Sequence, residues 1–363
     1  MRKLLLLLVI LFLTIPVHAA VLPEELLQEQ QDILGLDALL DALPDPVADQ
    51  DLLSPDFAGG VREILRQSLR GSQPAVRSAL ACGASLLAIV LLCELLKSTA
   101  DDRAAFAVRL AGVLSVTLLC AARFDALVSL AAAALEELSV LSDVLLPTLT
   151  AAAAASGAPL SGSALYVGTV FFVSLLTGLM QKLFLPLCYA FLACACTEIA
   201  AGNELLTRLR SFIKNGVAFC LKGILICFSG YLTITNVVSG SADAAAVKAA
   251  KLALSAMVPV IGSVMGDASE TILVSAGLLR SGVGVLGLLG ILSICLTPFL
   301  RVGVHYLALK LFAALGGALG GNDCVRMMDA AASCMGLLLA QIGVSALLNL
   351  ISCVCFMKAV IPT

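Results

Sequence analysis

From residue 76 onward the chain alternates long apolar runs with short charged breaks. Seven runs, at 76–96, 104–122, 163–181, 183–201, 216–238, 283–300 and 330–357, approach the ~20 residues that a helix needs to cross a ~30 Å hydrocarbon core. The pattern predicts an all-α, polytopic membrane protein. The runs at 163–181 and 183–201 meet at Lys182 and read as a tight hairpin.

Three further stretches are ambiguous. Residues 124–146 are helical by pattern but carry Glu136, Glu137 and Asp143. Residues 244–281 mix apolar positions with Lys248, Lys251, Asp267 and Glu270, and residues 306–321 are short and glycine-rich. Each reads as interfacial, re-entrant or tilted against protein, because charge at membrane depth persists only where protein or water covers it. Topology turns on 124–146. If it crosses or embeds deeply, which is the preferred reading, the loop with Arg208, Arg210 and Lys214 becomes cytoplasmic and obeys the positive-inside tendency.

The region before the first run divides in two. Met1-Arg2-Lys3, the apolar stretch to Val17 and the small residues around Ala19 predict a signal peptide over residues 1–19. Residues 20–75 then form an acidic extracytoplasmic segment. Ten acids and no Lys or Arg fall between residues 20 and 61, and Leu26, Ile33 and Leu40 repeat by sevens. Short amphipathic helices follow from that spacing, either docking a partner or folding back as a cap. Arg62, Arg66 and Arg70 stripe one side of residues 61–70, opposite Ile64, Leu65 and Leu69, as in a basic helix resting on anionic headgroups. Residues 76–363 are the multi-span domain.

Composition agrees: 60% of the 363 residues are hydrophobic, only 13% are charged, and the mean hydropathy is +1.06. A soluble domain carries about twice that charge. No basic domain is present to neutralise phosphates, so nucleic acid is not an expected partner. Twelve of the thirteen cysteines lie in apolar runs, which suits helix packing better than a disulfide framework. With His18 and His305 the only histidines, no metal or other cofactor is expected.

Ionisable residues within spans are functional candidates. Arg301, His305 and Glu198 read as lying near span ends, where side chains snorkel or cap. Arg109 and Lys222 lie deeper, and each is expected to face a partner acid or a wet cavity. Catalytic signatures fail in turn. H-E-x-x-H needs more histidine in the right spacing, G-x-S-G and the P-loop string are absent, and Val264-Met265-Gly266-Asp267 lacks the first glycine of G-x-G-D. The chain is therefore not expected to be an enzyme.

Residues 248–287 hold the densest pattern. Lys248 and Lys251 precede Pro259 and Gly262, then Gly266, Asp267 and Glu270, then Gly282, Gly284 and Gly287. Proline and clustered glycine either break a helix so that backbone lines a pathway, or let helices approach closely. Both readings stand.

The order of signal segment, acidic segment, basic helix, K-x-A-K, P-V-I-G, G-D-A-x-E-T and a glycine-rich span resembles the stage III sporulation protein AE family. Asn203-Glu204-Leu205-Leu206 and Asn236 add to the likeness. The resemblance implies an endospore-forming bacterium and a multi-pass protein of the mother-cell membrane around the forespore. It implies membership of a channel or secretion-like complex needed for late forespore gene expression. Partners would be other stage III sporulation A proteins, an ATPase among them, and a forespore-membrane protein reached through the complex. The lipid bilayer is a further partner, and a homo-oligomer is allowed. No catalytic residue is carried over. The alternative is a self-sufficient secondary transporter, which would show a second broken helix matching Pro259–Gly287.

Overall fold

Three of the turns that fold the chain back on itself contain a glycine with positive φ: Gly157 at 88°, Gly202 at 67° and Gly320 at 96°. Only glycine enters that region without a Cβ penalty, so these positions stop helices that composition would otherwise extend. At Gly202 the backbone N–H donates to Glu198 O at 2.8 Å, closing the helix before it. The computed structural model describes residues 36–44, 47, 56–99, 101–257, 262–320 and 322–358. The proposed signal segment lies outside them.

Between the turns run long rods. A short helix α1 (Leu36–Ala42) is followed by α2 (Phe57–Thr99), α3 (Asp102–Ala155), α4 (Pro159–Leu179), α5 (Leu185–Ala201), α6 (Glu204–Met257), α7 (Gly262–Ala318) and α8 (Asn322–Lys358). Among the described residues there is no strand. Among the described residues, six helical rods are long and apolar enough to cross a membrane, with α4 and α5 counted as one. The runs at 163–181 and 183–201 thus share one rod. The 54 residues of α3 extend about 80 Å at 1.5 Å per residue, well beyond a ~30 Å hydrocarbon core.

The merger of runs has local causes. No hairpin forms at Lys182, because lysine is a good helix former and the backbone stays helical through it. Pro186 lacks the donor that the carbonyl of Lys182 would use, and a π-helical turn, Met180–Phe184, takes up the mismatch while the rod continues. The basic stretch 61–70 is likewise the start of α2 rather than a separate helix, with Pro74 inside the rod. Residues 124–146 continue the run at 104–122 as one α3, exposing Glu136, Glu137 and Asp143. Residues 306–318 extend α7, while 319–320 form its closing turn.

Helices α7 and α8 form the antiparallel centre. In their most apolar windows 67% and 56% of residues are buried, against 22–39% for the other rods. Glycine sets the spacing. A Cβ on Gly284 would lie 2.2 Å from Met357 Cγ, and one on Gly316 would lie 2.9 Å from Val325 Cγ2. Helix α2 runs parallel to α7, with Gly83 against the Phe312 ring and Val90 near Gly316. Helix α3 crosses antiparallel to α7, where Gly287 meets Leu145 and Gly290 meets Leu141. On the far side Phe172 of α4 stacks edge-on against Phe228 of α6 at 5.2 Å.

The end of the acidic segment folds back. Leu39, Leu43 and Val47 are buried, and Leu43 abuts Gly290 beside Leu141. For residues 36–44 the cap reading therefore describes the structure.

Candidate functional site at the charged end of the bundle

The turns after α2, α5 and α7 lie at one end of the bundle, where one buried carboxylate draws arginines from neighbouring helices. Glu198 sits in the last turn of α5, only 2% exposed, held between two arginines. Its Oε1 accepts from Arg326 Nη2 of α8 at 2.8 Å, and its Oε2 lies 3.2 Å from Arg210 Nε of α6. A carboxylate this deep is tolerable only when paired on both oxygens. Arg210 also stacks over the Phe191 ring, 5.9 Å from its centroid.

Arg109 completes the cluster. Its Nε pairs with Asp323 of α8 at 2.9 Å, and its Nη2 donates to Ile199 O at 2.7 Å. The expectation of a partner acid holds for this residue. Lys222 is different. It is exposed on α6, and no ion pair joins it to another described residue. Arg301 and His305 both lie inside the α7 rod, in its second half. Arg301 donates to Gly71 O at 3.3 Å, and His305 Nδ1 contacts Arg301 O at 2.9 Å. Lys310 pairs with Asp329, so α7 and α8 carry a second ion pair near the same end.

The other end holds two buried charges that sequence inspection did not single out. Asp243 of α6 accepts from the backbone N–H groups of Leu160 at 3.1 Å and Ser161 at 2.8 Å, capping α4 from 82 residues away. Arg280 donates through Nε to Phe356 O at 2.6 Å and through Nη1 to Ser156 Oγ at 3.0 Å. The only available signal was the rarity of charge in apolar surroundings.

Of the residues proposed for 248–287, Lys248 is exposed on α6, and Gly262 and Gly266 lie within α7. Pro259 lies outside the described residues, as do the side chains of Lys251, Asp267 and Glu270. Gly282, Gly284 and Gly287 are buried where α7 meets its neighbours, and Gly284 and Gly287 sit at close helix contacts. Eight cysteines are buried and free. Two thiol pairs join α8 to other rods: Cys93 with Cys324, and Cys188 with Cys334.

Six apolar rods, four of them around a glycine-tightened central pair, with paired buried charge at one end, define a polytopic α-helical membrane protein. Residues 50–360 match the family described as Stage III sporulation protein AE, and the chain belongs to that family. A relative described as "Stage III sporulation protein AE", from Bacillus subtilis (strain 168), is 23% identical over 229 residues, or 63% of this chain. The match spans 57% of that relative's length. No solved structure matches.

Proposed function

We propose that this sporulation-family membrane protein is a scaffolding component of a channel or secretion-like complex between mother cell and forespore. In that reading it resides in the mother-cell membrane around the forespore and supports late forespore gene expression. Energy would come from a separate ATPase among the other stage III sporulation A proteins, and contact with the forespore membrane would run through the complex. The carrying observation is the closed centre: glycines bring α7 against α8 and α3 so tightly that a Cβ on Gly287 would fall 2.7 Å from Leu145. A passage therefore fits better between subunits or partners than inside one bundle. Exposed apolar side chains on the outer rods, such as Phe219, Ile226 and Leu118, leave faces for lipid or further subunits.

Orientation follows from charge. Arg208, Arg210, Lys214, Arg103, Arg109 and Arg326 cluster toward the end that carries the turns after α2, α5 and α7. The positive-inside tendency assigns that end to the cytoplasm. The test is deletion of the gene in the host, with a fluorescent reporter of late forespore transcription and affinity capture of the tagged chain. The expected result is reporter silence after engulfment and recovery of the other stage III sporulation A proteins. Normal reporter activity in the deletion strain would remove the proposal.

A further inference from the structure

At the charged end a cavity of about 450 Å³ opens between α6, α7 and α8, lined by Arg210, Lys310, Arg326, Asp329 and the small apolar surface of Ala313, Ala314 and Val325. Its volume falls within the range of small-molecule sites, about 300–1,000 Å³. Three cations face one acid on its wall. Glu198 sits behind that wall, accepting a hydrogen bond from Arg326 Nη2 and lying 3.2 Å from Arg210 Nε, which leaves other N–H groups of both arginines free of Glu198. Lys310 reaches Asp329 across the mouth, and Asp323 stands 3.9 Å from Arg326 Nη1. Against the three cations stand Asp329 and Glu198, with Asp323 at the longer distance and itself ion-paired to Arg109.

Such an arrangement suits a phosphate, because arginine forks match its oxygens and a lysine adds a point charge. Two placements narrow the source. Arg210, Lys310 and Arg326 each lie within about two turns of a rod end, beside further charged side chains that do not suit the hydrocarbon. Exposed Leu209 and Phe212 on α6 and Leu311 and Leu315 on α7 flank the cation positions, giving acyl chains an apolar surface to follow.

We propose that this cavity binds the phosphate of an anionic phospholipid. Lys310 and the free edges of Arg210 and Arg326 hold the phosphate oxygens, the flanking leucines take the chains, and Asp329 limits affinity by competing for Lys310. Lys310 and Asp329 are both substantially solvent-exposed, so they can be changed without touching the buried Glu198 pairs.

Full-length chain purified in neutral detergent is titrated with phosphatidylglycerol, phosphatidylcholine or inorganic phosphate, reading bound lipid by native mass spectrometry and thermal midpoint in parallel. Phosphatidylglycerol is retained and raises the midpoint, while phosphatidylcholine and inorganic phosphate at the same concentration do neither. Lys310→Gln weakens phosphatidylglycerol binding about tenfold, the loss of one charge-assisted contact, and Lys310→Arg restores it. Asp329→Asn tightens it. Equal retention of both lipids, or unchanged binding in both Lys310→Gln and Asp329→Asn, overturns the proposal. Equal stabilisation by inorganic phosphate assigns the cavity to a soluble anion and overturns the lipid assignment.

Discussion

Glu198 and Arg326, 128 residues apart, meet in the interior of the bundle, with the carboxylate Oε1 2.8 Å from the guanidinium Nη2. Arg210 occupies the second oxygen, so one acid ties α5 to both α6 and α8. Pairing is what makes the buried acid affordable. Removing it strands two cations, one of them only 24% exposed. Glu198→Ala should therefore cost about 2–4 kcal/mol, at the lower side of the range for broken buried pairs because Arg326 reaches water. The check is thermal unfolding in detergent, where Glu198→Ala should melt below Arg326→Gln. An Ala variant that melts with the parent would show that the pair contributes nothing.

Gly287 offers the second test. A methyl group there must displace both Cδ atoms of Leu145, each 2.7 Å away, and the Cys353 thiol at 3.3 Å. Overpacking of this kind costs about 1–3 kcal/mol, so Gly287→Ala should destabilise. Gly216→Ala is the contrast, since a Cβ there has nothing within 4 Å. It should gain up to about 1 kcal/mol from reduced backbone freedom. Opposite signs in the two unfolding curves are the expected outcome.

Asp243 caps α4 by accepting from two of its first backbone N–H groups, a task usually done by a residue next door. Asp243→Ala leaves those donors buried and unsatisfied, at a cost of about 1–2 kcal/mol. Asp243→Asn keeps an acceptor and should lose less. Hydrogen exchange at Leu160 and Ser161 reads the cap directly, and faster exchange in the Ala variant is required.

Cys93 and Cys324 bring α2 and α8 into thiol contact beside Gly112, whose Cβ would lie 2.4 Å and 3.0 Å from the two sulfurs. In a background without other cysteines, copper–phenanthroline should cross-link this pair. Cys82 with Cys353, which sit at opposite ends, should stay reduced. A protease site engineered into a loop between the helices reports the bridge as a fragment that separates only on reduction. Absence of the bridge would contradict the placement of α2 against α8.

How much of this was legible beforehand depends on the physics of each signal. Apolar runs announce lipid because no soluble shell accounts for them, and the runs at 76–96, 283–300 and 330–357 fall within α2, α7 and α8. Lys182 misled because a polar break between two apolar runs resembles a turn, while lysine itself is content in a helix and Pro186 is absorbed by one π-helical turn. Arg109 and Lys222 looked alike in sequence. One finds Asp323 and the other faces outward, a difference set by helix rotation. The buried caps of Asp243 and Arg280 left no trace in local pattern, since their partners are 76 to 124 residues distant.

Residue order alone determined that this chain is helical, that it suits lipid and that glycine clusters near 284–290, because hydropathy and Cβ size are properties of each residue and its near neighbours. The tertiary structure decided which runs fuse into one rod, which charges pair and which face of each helix meets a partner. Those outcomes depend on the rotation and register of rods packed side by side, and a rotation of half a turn would exchange a buried ion pair for an exposed lysine without altering the hydropathy profile.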